Sequence, residues 1–349
     1  MPARLGMRKK VVTIILRIAK SVGLFALARW LTARDLRILC YHGGALRDEH
    51  NFSPGLFMTK GTFATRMEFL ARHRYPVLSL DEAVAKLEKG GWPRYGTVIT
   101  IDDGWFGSYQ IMAPILRDHR FPATLYIASY YLEKQTQVFN VAANYVLWLA
   151  RDRQLRLSLI SDQLTGDYRL ADSDQRSEAR ERLTALAEGL NGATERQKLF
   201  RQLCAVLGLN AADLERSRIC AFLSVEEARD LEKHGIDVQL HTHRHTFPSD
   251  DFDQARTEIE DNRRSLASLG DRPRRHFCYP SGEYERHQLS WLPQLGIVSA
   301  TTVKPGFTRQ GASPYELRRF LDSERISQLE FEAEMCGFFE LIRRCRYAI

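Results

Sequence analysis

Two short runs in this 349-residue chain bring metal-binding and acid–base side chains close together. His241-Thr242-His243-Arg244-His245 packs three of the chain's ten histidines into five residues. If that backbone is helical, His241 and His245 can meet one cation. If it is extended, His241, His243 and His245 share one side and form a three-histidine site. Two histidines plus one carboxylate, with a position left open for water, make a catalytic zinc-type set, and the same donors suit other divalent ions. Asp102-Asp103-Gly104 offers the carboxylates. Adjacent residues leaving a strand point in different directions, so one carboxylate can hold a metal while the other faces a substrate. Gly104 permits the tight turn. Alone, Asp-Asp-Gly is an ordinary turn and a strand-end histidine such as His42 an ordinary turn stabiliser; the two runs together carry the chemistry.

These clusters need a scaffold that gathers them. Leu36–His42, Thr97–Ile101, Ala123–Ile127, Asp237–Leu240, His276–Pro280 and Val298–Thr301 are apolar or β-branched runs that predict strands. Helical periods lie between them over Thr62–Arg72, from Leu80, and over Tyr109–His119, Ala255–Leu269 and Gln288–Leu295, with Ser224-Val225-Glu226-Glu227 capping another. Strands alternating with helices predict an α/β protein with a parallel sheet. His42, Asp102, Asp103, His241, His245 and Tyr279-Pro280-Ser281 all follow the carboxyl ends of predicted strands, the rim where sites form in such folds. The rhythm breaks over 135–222, a charged helical stretch with no convincing strand pair. The expected organisation is an N-terminal segment 1–37, a first barrel part 38–134, the helical insertion 135–222 as a lid or specificity wall, a second barrel part 223–325 and a C-terminal helix 326–349.

The motifs carry a resemblance. Thr100-Ile101-Asp102-Asp103-Gly104 resembles the T-F-D-D-G motif of the polysaccharide deacetylase family, the NodB homology domain. His241-Thr242-His243-Arg244-His245 is similar to its H-[ST]-x-x-H motif, and Phe277-Cys278-Tyr279-Pro280-Ser281-Gly282 to its third, proline-containing loop. The likeness covers residues 38–134 and 223–322. It implies a distorted (β/α) barrel with a divalent metal held by Asp103, His241 and His245: Zn²⁺ first, with Co²⁺, Ni²⁺ or Mn²⁺ as alternatives. It also implies Asp102 as general base, and substrate or oxyanion contacts from Ser281, Tyr279 and Thr242. The reaction implied is hydrolysis of an N-acetyl group from an amino sugar in a bacterial polysaccharide, lipopolysaccharide or lipid-linked glycan. A catalytically inactive carbohydrate binder, or an O-deacylase or deformylase on the same site, is the alternative.

Two departures stand out. Cys278 occupies the place where many members carry an arginine that contacts the catalytic aspartate, with Arg274 and Arg275 a few residues earlier. The late L-x-H motif that supplies an acid histidine is absent, since no histidine follows His287. Leu39-Cys40-Tyr41-His42, however, resembles the first strand of a circularly permuted subset, which assigns the acid to His42 with His287 as fallback.

The net charge of +7 is local. Residues 1–37 hold nine basic groups against one acid, Asp35, leaving 41 basic and 42 acidic residues in the rest. A neutral body without an aromatic-basic motif excludes nucleic acid as a partner. The run 8–31 sets Lys9, Lys10, Arg17 and Lys20 against Val11, Ile14, Ile15, Ile18 and Val22, the pattern of a helix lying in a membrane interface. An uncleaved anchor, a signal peptide and a helix packed on the protein's own core are the alternatives. The expected partners are thus a glycan or lipid-linked sugar and, through residues 8–31, an anionic membrane surface. The expected location is the bacterial inner membrane, at its cytoplasmic face, with the periplasmic face as alternative. The six cysteines form no CxxC; Cys40 and Cys278 sit in strand-like runs and are expected buried and reduced.

Overall fold

The computed structural model describes residues 2–134 and 137–347. Met1, Gln135, Thr136, Ala348 and Ile349, at the edges of the expected segments, lie outside the described residues, as do the side chains of Arg4 and Arg8. Seven strands form one sheet: β1 Arg37–Tyr41, β2 Thr97–Ile101, β3 Ala123–Ile127, β4 Ile236–Leu240, β5 His276–Cys278, β6 Ser299–Thr301 and β7 Phe320–Leu321. Their order is β6-β5-β4-β3-β2-β1-β7, and every pair is parallel. Leu39 stands beside Ile99 and Phe320, Leu125 beside Val238, and Phe277 beside Leu240 and Ala300. Just before β7, Leu317 bridges Thr301 of β6. The run 317–321 therefore touches both edges, and the sheet curls into the expected distorted (β/α) barrel.

The strands read as near-continuous apolar runs because both faces are covered. Alternate residues serve two cores. Leu39, Ile99, Ile101, Leu125, Val238 and Phe277 face outward under the helices, packing with Phe63, Met67, Leu116, Leu231 and Ile259. Ile38, Val98, Tyr126, Cys278 and Leu317 face the barrel interior, which Leu80, Ala83 and Leu87 plug from one end. The surrounding helices that matter below are α1 Pro2–Ser21, α2 Leu24–Leu31, α3 Lys60–Arg72, α4 Leu80–Ala85, α5 Ala113–His119, α6 Phe139–Leu149, α7 Ser173–Glu188, α8 Ala193–Val206, α9 Val225–Lys233, α10 Phe252–Leu266, α11 Gln328–Met335 and α12 Phe338–Tyr347. Capping boxes start α4 (Ser79 with Glu82), α9 (Ser224 with Glu227) and α11 (Ser327 with Glu330).

Several boundaries differ from the sequence expectation. Tyr109–His119 is not one helix: Ser108–Met112 is a π-turn and α5 follows it, because Pro114 has no N–H to continue the ladder. The single C-terminal helix is two, broken at Gly337. That glycine has φ +84°, and a Cβ there would lie 2.3 Å from Thr32 Oγ1. The N-terminal helix is also two, bent by 77° between Ser21 and Leu24. The stretch after β3 does contain a strand pair, Gln154–Arg156 antiparallel to Asp167–Arg169. Only Leu155 and Tyr168 of that pair are buried, too little to leave a period of two. The described residues from 137 to 222 build a separate core around Val146, Leu183, Phe200 and Leu203. Phe57 and Trp105 from the barrel loops join it.

The loops after β1 and β2 meet backbone to backbone. A Cβ on Gly107 would sit 1.9 Å from Gly44 O, although Gly107 has helical φ −60° that alanine adopts freely. Space alone thus requires glycine there. Gly107→Ala should cost about 1–3 kcal/mol through overpacking and lower the melting temperature by several degrees; an unchanged melt would contradict this contact.

Candidate active site

The carboxyl ends of β2 and β4 carry the candidate metal ligands. Asp103 follows β2 in the left-handed region, φ +73°, with Gly104 at +100°. After β4, Thr242 and His245 are left-handed as well, at +61° and +60°. The histidine run is therefore neither helix nor strand but a tight loop, pinned by the Thr246 N–H donating to Thr242 Oγ1 at 3.1 Å. It brings His241 Nε2 and His245 Nε2 to 3.3 and 3.5 Å from one oxygen of Asp103. Their ligand atoms lie within 4.8 Å of one another, the spacing a single cation needs. The three-histidine alternative fails: His243 turns away, its Nδ1 2.9 Å from Ser129 Oγ and its carbonyl accepting from the Tyr130 N–H.

Supporting contacts aim these ligands. His241 donates from Nδ1 to the Cys278 carbonyl at 2.8 Å, which leaves the Nε2 lone pair for a metal. The second Asp103 oxygen accepts from Trp105 Nε1 at 2.7 Å. Asn262, fully buried on α10, accepts the His241 N–H at 3.0 Å and donates to the Ile127 carbonyl and to Ser129. Burial would raise the Asp103 carboxyl, but the His241 and His245 rings beside it, where they are protonated and no cation takes their place, hold it well below the usual range.

Asp102 lies deeper. Arg319, fully buried, grips both its oxygens at 2.7 Å, and donates from Nε to the Thr302 carbonyl at 2.9 Å. The thiols of Cys40 and Cys278 approach the same Asp102 oxygen at 3.4 and 3.5 Å. Burial pushes the Asp102 carboxyl up, but the guanidinium outweighs it and holds the group at about 2. Arg319 thus contacts the aspartate from the barrel's closing run. Arg274 is buried against Glu232 and the Val238 carbonyl, and Arg275 pairs with Asp81, so neither reaches Asp102. Since Asp102 is engaged bidentately, Asp103, His241 and His245 form the set that opens outward.

The other expected residues divide. His42 leaves β1 beside Asp102, its ring nitrogen within 4.8 Å of the carboxylate, and its carbonyl accepts from Ser108 Oγ at 2.8 Å. Ser281 is exposed in the loop after β5, at φ +56°. Tyr279, expected to face substrate, is buried among Phe247, Phe277 and Tyr284 and donates to the Tyr315 carbonyl at 3.1 Å. A side chain leaving the strand at that position faces the outer core. Thr242 is likewise buried, its hydroxyl spent on the loop. His287 lies away from the group, 2.6 Å from the Ser249 carbonyl and against Trp291. A cleft of about 760 Å³ opens over Asp103, Trp105 and His245, and residues such as Phe139, Glu188, Arg196 and Arg218 form its far wall.

Residues 200–300 match the polysaccharide deacetylase family, which bears out the resemblance carried by the histidine run and the loop after β5. No curated protein matches the chain. Among solved structures, the Streptococcus pyogenes deacetylase PplD in complex with acetate superposes with a TM-score of 0.57 at 16% identity, over 86% of this chain and 98% of that one. IcaB from Ammonifex degensii gives 0.55 at 15% identity, over 87% and 97%. A de-N-acetylase from Aggregatibacter actinomycetemcomitans gives 0.54 at 12%, over 86% and 99%. At these identities the likeness is one of fold.

The ligand assignment is testable by calorimetric Zn²⁺ titration. His241→Ala or His245→Ala should lower affinity at least about a hundredfold, and Asn262→Ala about 10–100-fold through the misaimed His241. Asp102→Asn should leave one-site binding in place; loss of binding in that variant alone would refute the set.

Proposed function

Since residues 200–300 match the polysaccharide deacetylases and the barrel resembles theirs, we propose that this chain is a metal-dependent carbohydrate N-deacetylase. It hydrolyses the acetamide of an amino sugar in a bacterial envelope glycan or lipid-linked sugar, giving acetate and a free amine. The observation that carries this reading is the meeting of Asp103, His241 and His245 at one rim, with the ionised Asp102 and His42 beside them.

A divalent cation held by Asp103, His241 and His245, Zn²⁺ first among candidates, supplies Lewis-acid chemistry to the amide carbonyl and makes water acidic enough for a weak base. Asp102 is such a base. At about 2 it stays ionised through neutral pH, so it accepts and orients the proton of the attacking water. Arg319 occupies both carboxylate oxygens in one plane and fixes that orientation. The Ser281 backbone N–H, in a left-handed turn at the rim, is assigned as a donor to the tetrahedral oxyanion. His42, just past the end of the neighbouring strand β1, donates the proton that the leaving amine requires. Its place directly after β1, the strand between β2 and the closing run, supports reading the barrel as permuted.

Acetate release from a panel of N-acetylated glycans and lipid-linked sugars should be abolished by a chelator and restored by Zn²⁺. Asp102→Asn should reduce kcat by about 10²–10⁴-fold with metal still bound. Chelator-insensitive release, or a variant as fast as wild type, would end the proposal.

The Asp102–Arg319 pair has a pH signature. A carboxyl held below its unfolded value adds stability above the ordinary carboxylate range, and that stability is lost as pH falls towards about 2. Arg319→Lys gives up the two-pronged grip while burial remains, so the acid limb of kcat/KM should move to higher pH with metal affinity unchanged. A limb that stays in place would leave Arg319 a purely structural part.

A further inference from the structure

The N-terminal helices carry an apolar surface that nothing in the described chain covers. α1 meets the body along a narrow stripe, where Leu16 and Ala19 pack with Phe25, Ala333 and Cys336. Lys20 pairs with Glu332 on that side at 2.5 Å. The opposite face shows Ile14, Ile15 and Ile18 more than half exposed, and α2 turns out Leu27 and Trp30 in the same way. Of thirteen large apolar side chains exposed among the described residues, ten fall between Val11 and Leu31. This is concentration, not the single scattering normal to a soluble surface. α12 extends the patch: its Leu341 and Ile342 line an apolar groove with Leu24 and Leu27.

The charge pattern selects the occupant. No acidic residue precedes Asp35. Lys10 and Arg17 are exposed, make no ion pair among the described residues, and lie together on α1, about 100° round the helix from the apolar face. Basic flanks beside a bulky apolar face fit an anionic lipid surface, whose headgroups take the charge while the boundary region takes the side chains.

Bilayer spanning does not fit. Among the described residues no single helix is long and apolar enough to cross; α1 and α2 qualify only together, and they are bent by 77°. Gly23, at φ +81°, makes the elbow. α2 is also tied down: Arg29 lies 4.2 Å over the Tyr95 ring and donates to the His73 carbonyl at 2.6 Å, and Phe25 packs on Phe338. A straight helix would lose these contacts.

We propose that the α1–α2 elbow, with the edge of α12, docks this protein in the plane of an anionic bilayer surface without crossing it. Two non-parallel helices restrict the tilt of the body more than one helix does. Lys9 reaches the Arg325 carbonyl at 3.5 Å, which ties α1 to the segment that follows β7. The inference does not depend on the deacetylase reading, because its test needs no substrate.

The test is co-sedimentation of the full chain with phosphatidylcholine vesicles, with or without phosphatidylglycerol. Wild type should bind the anionic vesicles at least about tenfold more tightly at low salt. Ile14→Asp with Ile18→Asp, at exposed positions, should melt like wild type yet lose about a hundredfold in binding. Lys10→Gln with Arg17→Gln should remove most of the preference for anionic lipid. Equal binding by the isoleucine variant, or no binding by wild type, would overturn the proposal. So would a lipid-free dimer that the isoleucine variant dissociates and vesicles do not compete for, which would give the surface to a second copy.

Discussion

The bidentate pair between Asp102 and Arg319 is the constraint on which the rest of the rim depends. Two opposite charges are almost wholly removed from water there, and such a pair is tolerable only with near-ideal geometry and every remaining donor occupied. The structure meets that demand: the guanidinium also reaches Thr302 O, Thr100 Oγ1 and Cys278 Sγ. Removing one partner of such a pair costs about 3–5 kcal/mol. Because Arg319 sits in the run that touches both sheet edges, one interaction joins the seam of the barrel to the end of β2. Closure and orientation of the carboxylate are the same physical event.

Around that pair the backbone is held in an uncommon state. Asp103, Thr242, His245 and Ser281 are all left-handed non-glycine residues, and all stand at the rim. Each such residue costs of order 1 kcal/mol or more and persists only where its surroundings over-determine it. Trp105, Asn262 and the Thr242–Thr246 hydrogen bond supply that determination. Four of the nine left-handed non-glycine residues among the described residues thus stand at the rim; the other five, such as Arg120 and Arg218 at helix ends, lie elsewhere.

The strands were legible in the sequence because each is local: a β-branched run announces a strand. The gathering of Asp103, His241 and His245 was legible through the motifs that carry the family resemblance, since the spacing of the histidines alone also allowed a three-histidine site and the loop that joins them is not helical. The contacts that aim these groups are not local. Arg319 lies in Leu317-Arg318-Arg319-Phe320-Leu321, which reads as a charged surface run; its strand has two residues and exists only because the barrel closes there. Asn262 lies on a helix whose visible character is charge. In the described structure, Phe247 and Tyr284 crowd Tyr279 into the core, which a motif alone could not reveal. The elbow at Gly23 was hidden because α1 and α2 share one hydropathic pattern across the break.

Trp105 has a mechanical meaning. Its ring is wedged between Phe57 and Phe222 in the core behind the cleft wall, while its indole nitrogen holds Asp103. A flat, rigid side chain with one end in each place acts as a strut. A shift of Phe57 or Phe222 would therefore be felt at Asp103, the carboxylate of the candidate metal site, through a single rigid ring.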